Sequence, residues 1–160
     1  MKCYDSGKPE TISGRGSTLE YTEGVRAELP NIIKTYNIKS MFDAGSGDRH
    51  WISQVDLGCE YYCGDLPDYD LLRDNPPEVD LFFCRDVLIH IPPEQQEHIK
   101  WGNCKYYMLT FYYPGLVEYS YPGFYPWYIP ESWDKPIRIV KEKSKLKYMG
   151  IWTKEQICQS

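Results

Sequence analysis

Asp43, Gly45, Gly47 and Asp48 fall within six positions, in the stretch "DAGSGD" (43–48). A short apolar run, "SMFDA" (40–44), leads into it, and an apolar segment from Trp51 to Val55 follows. The stretch therefore reads as the turn between a strand and a helix. In open α/β sheets, ligands sit outside the carboxyl ends of the strands, and glycines there let the backbone come close to a ligand. The pattern is Asp-x-Gly-x-Gly, whereas a dinucleotide turn reads Gly-x-Gly-x-x-Gly. An acidic group at the strand end repels a pyrophosphate and suits a cationic amine. The turn thus points to an amino-acid-bearing ligand such as S-adenosylmethionine (SAM), with a tight turn that touches no ligand as the equal alternative.

A second acidic strand end favours the ligand. Asp65 closes "EYYCGD" (60–65), about 20 residues after the glycine turn, where nucleoside-binding folds place a carboxylate on the ribose hydroxyls. A carboxylate accepts two parallel hydrogen bonds and so matches a diol; a helix cap or turn is the alternative for this residue. His50, His90 and His98 are too scattered for a metal site. The serine in "GSG" (45–47) lacks the Gly-x-Ser-x-Gly spacing of a hydrolase elbow. "DNPPE" (74–78) ends in Glu78 where an amino-directed DNA methyltransferase motif ends in an aromatic, and it precedes its strand, so it reads as a turn.

These residues need a scaffold. The segments 40–44, 60–65, 79–86 and 105–113 are near-continuously apolar and read as buried strands. Segments 136–143 and 145–152 alternate and flank a Ser-Lys turn, which predicts an antiparallel hairpin. Ser17 and Glu20 have capping-box spacing, so a helix is expected to open there, with Leu19, Val25, Leu29, Ile32 and Ile33 buried and Pro30 bending or splitting it. A second helix is expected over 92–102, with Pro93 in its first turn. Strands alternating with helices predict a doubly wound parallel sheet.

The composition narrows the classes. A chain of 160 residues suggests a single domain, 1–160, large enough to do without disulfide staples. A net charge of −5 argues against a nucleic-acid partner; the basic run 135–148 reads as two solvated strand faces. No apolar run reaches the roughly 20 residues of a membrane span. The N-terminal residues show no signal-peptide pattern, so the six cysteines are expected to be reduced, mostly buried thiols in the cytoplasm. The first ten residues are polar and expected to be loose. Aromatic residues crowd 106–133, more densely than a core needs, and suit a pocket or an interface. Prolines 114, 122, 126 and 130 exclude a long helix or central strand from residues 111–133.

Several segments together resemble the class I SAM-dependent methyltransferases, and among them a compact bacterial and phage branch. They are "SGRGS" (13–17), "DAGSGD" (43–48), Gly64-Asp65, "DLFFCRDVLIHIP" (80–92) and "YMGIW" (148–152), and the resemblance covers about residues 10–157. It implies a Rossmann-like sheet with a terminal antiparallel hairpin. It implies that Asp43, Gly45 and Gly47 surround the methionine moiety of SAM and that Asp65 holds the ribose. Residues 13–17 would form a flap, with Ser13 in it and Arg15 a partner for the SAM carboxylate. Arg85 and Asp86 would lie at the mouth of the site. His90 would face the substrate or cap a helix, with Asp86 and His90 as the candidate bases. Tyr112, Tyr113, Tyr125 and Trp127 follow the fifth strand of that fold, where acceptors bind, and would contact the acceptor or the sulfonium; interface or core is their alternative role.

One departure is large. Only 14 residues separate Asp65 from Asp80, too few for the helix, third strand and helix of that fold. The expectation is a reduced sheet of six strands in the family order 2-1-4-5-7-6, with a thinner adenine pocket. Two functions follow. One is a SAM-dependent methyltransferase with a small-molecule or protein acceptor, cytoplasmic in a bacterium or, if phage-encoded, in its host. The other is an inactive methyltransferase-like fold that binds a protein, as a phage accessory module. A homodimer through the aromatic surface or the exposed sheet edge is left open.

Overall fold

The computed structural model describes residues 10–117, 121–144 and 146–157. Cys3, Cys158, Tyr119, Lys145 and the polar first residues lie outside them. The apolar runs become strands β1 (Ser40–Ala44), β2 (Glu60–Gly64), β3 (Leu81–Cys84) and β4 (Tyr106–Tyr112). The alternating pair becomes β5 (Arg138–Lys141) and β6 (Lys147–Thr153). They form one sheet in the order β2-β1-β3-β4-β6-β5. The first four run parallel, and β6 is antiparallel to both β4 and β5. Counting past the missing strand, this is the expected order 2-1-4-5-7-6. Residues 66–79 form no strand, so β2 is an edge.

Alternation along the strands divides the core between two faces. Met41, Leu81, Phe83, Met108, Met149 and Ile151 point to one face, where they meet Val25, Leu29, Ile32 and Ile33. Those four lie on α1 (Glu23–Thr35), which runs unbroken through Pro30. Phe42, Phe82, Tyr107, Leu109, Phe111 and Trp152 point to the other face.

Several expectations fail locally. The helix does not open at Ser17: residues 15–17 form one 3-10 turn, the chain turns again, and α1 begins after Thr22. Leu19, ahead of the helix, is half-buried against the same cluster. The segments after β1 and over 92–102 give only 3-10 turns, Ile52–Gln54 and Pro93–His98. β2 is not buried; Tyr62 and Cys63, on opposite faces of this edge strand, are both exposed. Of the four described cysteines, Cys84 and Cys104 are buried and Cys59 partly so.

The second face has only the one-turn helix Lys154–Ile157, which contributes Ile157, so rings cover most of it. Trp101, Trp127 and Trp133 pack over Trp152 and one another, with centroids 5.4 Å apart for Trp101–Trp133, 5.6 Å for Trp127–Trp133 and 5.7 Å for Trp133–Trp152. A buried aromatic ring removes about 150–250 Å² from water, so a few indoles do what a helix does elsewhere. The aromatic density of 106–133 is thus largely core. Trp127 is 2% exposed, and Trp127→Ala is expected to cost ~3–5 kcal/mol. Tyr113→Ala, at a half-exposed ring on the neighbouring stretch, is expected to cost far less. Urea unfolding of both variants measures the difference.

Candidate functional site

The glycine turn lies at the carboxyl end of β1, as expected. Gly45 and Gly47 both have left-handed backbone, φ 77° and 57°. A Cβ on Gly45 would stand 2.2 Å from Val87 Cγ2, and one on Gly47 2.3 Å from Ser13 Oγ. The glycines therefore admit close approach, and the groups that approach are the protein's own. Ser13 Oγ accepts a hydrogen bond from the Asp48 amide at 2.8 Å. Asp48 in turn accepts from the Thr11 hydroxyl at 2.5 Å and the Ile12 amide at 2.9 Å. The N-terminal segment is thus tied onto the turn.

The two strand-end acids separate in role. Asp65 accepts from the Gly47 amide at 2.6 Å through one oxygen and from the Leu66 amide at 2.8 Å through the other. Each oxygen keeps a lone pair, and the residue lines a cavity of about 250 Å³. Asp43 lines neither that cavity nor its larger neighbour. It is buried and accepts from the Tyr61 hydroxyl at 2.7 Å. Burial pushes its carboxyl up to about 7, against the Tyr61 hydrogen bond that favours the anion.

The small cavity is bounded by Gly45, Leu66, Tyr69, Leu72, Val87 and Ile91 around Asp65. The Tyr69 hydroxyl is buried without a hydrogen-bond partner. A second cavity of about 650 Å³ opens between residues 13–17, Asp86, the Tyr112 ring and the turn after β5. His90 lines both cavities. It ends the 3-10 turn Leu88–His90, and its Nδ1 lies 3.2 Å from the Gly123 carbonyl. A carbonyl only accepts, so Nδ1 carries the hydrogen and neutral His90 keeps its Nε2 lone pair.

Arg85 lines neither cavity. It is buried and donates to both oxygens of Glu142, at 2.9 and 3.0 Å, and to the Gly16 carbonyl at 2.8 Å. Its guanidinium lies 5.7 Å from the Trp51 ring centroid. Arg85 therefore holds the site's walls together and does not reach a reacting group. Asp86 has left-handed backbone, φ 59°. One oxygen receives Lys147 Nζ at 2.8 Å and lies 3.3 Å from Arg85; the other is buried without a partner. Burial alone would raise its carboxyl, but the Arg85 and Lys147 charges outweigh that and hold it below the usual range. A carboxylate so held is a poor proton acceptor, which leaves His90 as the base candidate of the two.

The predicted acceptor rings divide. Tyr112 lines the large cavity. Tyr113 packs against Phe111 and Tyr148 on the opposite side of its strand. Tyr125 gives its amide to the Ile89 carbonyl and lines neither cavity. Trp127 is in the tryptophan core. Tyr121 and Phe124 take the wall positions instead. Arg15 reaches the large cavity with its guanidinium 4.7 Å from the Tyr21 ring centroid. Sequence reading missed Glu142 and Lys147. Glu142 follows β5 and Lys147 opens β6, either side of a lysine-rich turn whose composition reads as solvent-facing, and their partners lie far away in the chain.

Two outcomes follow from this electrostatic arrangement. Glu142→Gln leaves Arg85 buried beside a neutral amide and is expected to destabilise by ~3–5 kcal/mol in urea unfolding. Asp43 binds its proton more tightly folded than unfolded, so it lowers stability as pH rises from about 4 to about 7 and by a constant amount above that. Asp43→Asn keeps an acceptor for Tyr61 and removes this loss. Relative to wild type it should gain about 4 kcal/mol at pH 8 and almost nothing near pH 4; equal offsets at both pH values would contradict the assignment.

No protein-family profile and no curated protein matches the chain. Solved structures do. The methyltransferase domain of a bacterial Hen1 protein (CtHen1) superposes with a TM-score of 0.51 at 12% identity, over 82% of this chain and 98% of that one. Magnesium protoporphyrin IX methyltransferase from Synechocystis PCC 6803, with bound S-adenosylhomocysteine, gives 0.48 at 13% identity, over 88% and 90% of the two chains. A SAM-dependent methyltransferase from Archaeoglobus fulgidus gives 0.43 at 17% identity, and the match spans 57% of this chain and about half, 53%, of that one. At such identities the likeness is one of fold. The chain has the Rossmann-like sheet of the class I methyltransferases, without the third strand and its flanking helices and with the terminal hairpin in place.

Proposed function

We propose that the chain binds SAM and transfers its methyl group to an acceptor in the larger cavity. The observation that carries this reading is the meeting of two cavities at His90, one built around the strand-end carboxylate Asp65 and the other around the aromatic wall. The residues fit a nucleoside. Asp65 has lone pairs left for a ribose diol, Leu66, Leu72, Val87 and Ile91 offer apolar surface beside the polar Asp70 and Gln95, and the Tyr69 hydroxyl lacks a partner. Ligand sites usually span about 300–1,000 Å³, so the 250 Å³ cavity takes the nucleoside and the amino-acid limb extends toward residues 13–17 and Arg15. Bound SAM supplies an electrophilic methyl group on a sulfonium. The chain's own residues then have positioning as their main task. His90, with Nε2 open, accepts the proton of a hydroxyl or amine acceptor. Asp43, whose carboxyl burial pushes up to about 7, shapes the turn from beneath.

In this reading the chain is one methyltransferase-like domain of the compact phage and bacterial type, acting in the cytoplasm. A fold kept for protein binding is the second reading. It draws on Gly45 and Gly47, whose open faces are filled by Val87 and Ser13. Calorimetry with SAM and S-adenosylhomocysteine decides between them. Binding is expected for wild type, and Asp65→Ala should weaken it by ~1.5–3 kcal/mol through loss of charge-assisted bonds to the diol. Absence of any heat at millimolar SAM would overturn the enzyme reading.

A further inference from the structure

The larger cavity has a sign and a shape, and both bear on what enters it. Among its described lining residues are three cationic side chains, Arg15, Lys143 and Lys147, against one carboxylate, Asp86. The chain as a whole carries −5, so this concave cationic patch stands out from an acidic surface, and concave sites focus such a field. Lys143 and Lys147 come from the two ends of the hairpin turn between β5 and β6. Lys147 is buried, with its ammonium on Asp86. Lys143 is half-exposed, and its ion pair with Glu20, at 3.4 Å between two half-exposed side chains, is of the kind that contributes little. Lys143 is therefore available to an incoming anion at small cost.

The same cavity has an aromatic wall. The Tyr112 and Phe124 rings meet edge to face with centroids 5.8 Å apart, and Phe124 stacks on Tyr121 at 4.9 Å with planes 21° apart. Ile89 adds an apolar surface, and His90 lies at the boundary with the nucleoside cavity. A volume of about 650 Å³ suits a small molecule.

We propose that this cavity binds a small aromatic anion, its ring against Tyr112, Phe124 and Tyr121 and its carboxylate or phosphate on Lys143, with Lys147 contributing positive field. The binding rests on the cavity alone; its role as the methyl acceptor, with a ring hydroxyl or amine toward His90, rests on the reading above. Lys143 and Tyr121 are exposed enough to change without loss of fold.

Titration calorimetry of the full chain with 4-hydroxybenzoate, phenyl phosphate, phenol and tyramine tests the proposal, with and without S-adenosylhomocysteine. One or both anions should bind at least tenfold tighter than phenol and tyramine, and which anion leads separates carboxylate from phosphate. Lys143→Glu and Tyr121→Ala should each weaken the preferred anion about tenfold while leaving the unfolding midpoint in place, and raised salt should weaken it further. Equal affinity for anion, phenol and amine, or an anion affinity untouched by Lys143→Glu, would overturn it. Anion binding in a protein that shows no heat with S-adenosylhomocysteine would support the pocket and remove its role as acceptor site. Nucleoside binding with no anion preference would remove this proposal and leave the methyltransferase reading intact.

Discussion

The site depends on one buried ion pair. Arg85 leaves the end of β3 and meets Glu142, which has just left β5, with two nitrogens on two oxygens. Neither side chain is exposed. Taking two charges out of water is costly, and only good geometry with further hydrogen bonds recovers it. Arg85 finds those bonds on the Gly16 and Tyr21 carbonyls, and its guanidinium lies over Trp51. One side chain thereby fixes the N-terminal segment, the centre of the sheet and the terminal hairpin relative to one another. These are the segments that wall the larger cavity. Gly16 belongs to the same constraint, since a Cβ there would lie 2.8 Å from Asp86 Oδ2. The "SGRGS" segment lies close over the acid because its glycine has no side chain to hold it off.

The reduction of the fold and its aromatic richness are one phenomenon. A sheet buried on both faces needs cover on both. Here α1 covers one face, while on the other the segment after β3 makes only a 3-10 turn, Pro93–His98, and the helix Lys154–Ile157 is a single turn. Loops must then exclude water without a helix's regular hydrogen bonding. Large flat side chains do this with few residues, and prolines hold the loop backbone without requiring amide donors. Hence four of the five tryptophans, all but Trp51, gather on one face, and a few rings beyond them, Tyr112, Tyr121 and Phe124, line the cavity.

What was legible in the sequence follows from the range of the interactions involved. Strands β1, β3 and β4 announce themselves as apolar runs, and the hairpin announces itself by alternation, because burial of a strand is written in its own residues. The loss of the third strand was legible as a length, since 14 residues cannot hold it. The helix start was not. Ser17 and Glu20 have capping spacing, yet tertiary contacts take precedence: the Arg85 guanidinium takes the Gly16 carbonyl, and the helix waits for Thr22. Glu142 was invisible for a similar reason. Its partner is 57 residues away, and no local pattern distinguishes a buried glutamate from its solvated neighbours in "KEKSK". Trp127 read as a contact residue because a ring after β4 faces either cavity or core, and only the absent helices decide which.

Losing the third strand also sets the wall of the small cavity around Asp65. With β2 at the edge, no neighbouring strand end stands beside Asp65. Residues 66–72 return across that gap instead: Tyr69 packs edge to face on Phe42 at 4.9 Å, and its Cβ would lie 2.8 Å from a side chain at Gly64. Gly64 is therefore required by the returning loop, whatever ligand the site takes. The loop supplies Leu66, Tyr69 and Leu72 to the cavity, and Val87 and Ile91 close the far side. Most of these surfaces are apolar, but the returning loop also brings the carboxylate of Asp70 to the cavity, and Gln95 lines it from the 3-10 turn Pro93–His98. Asp65 is therefore one of two acids in the lining. Of the two, Asp65 at the end of β2 is the one held by two backbone amides, from Gly47 and Leu66, so its position follows from the glycine turn and the start of the returning loop.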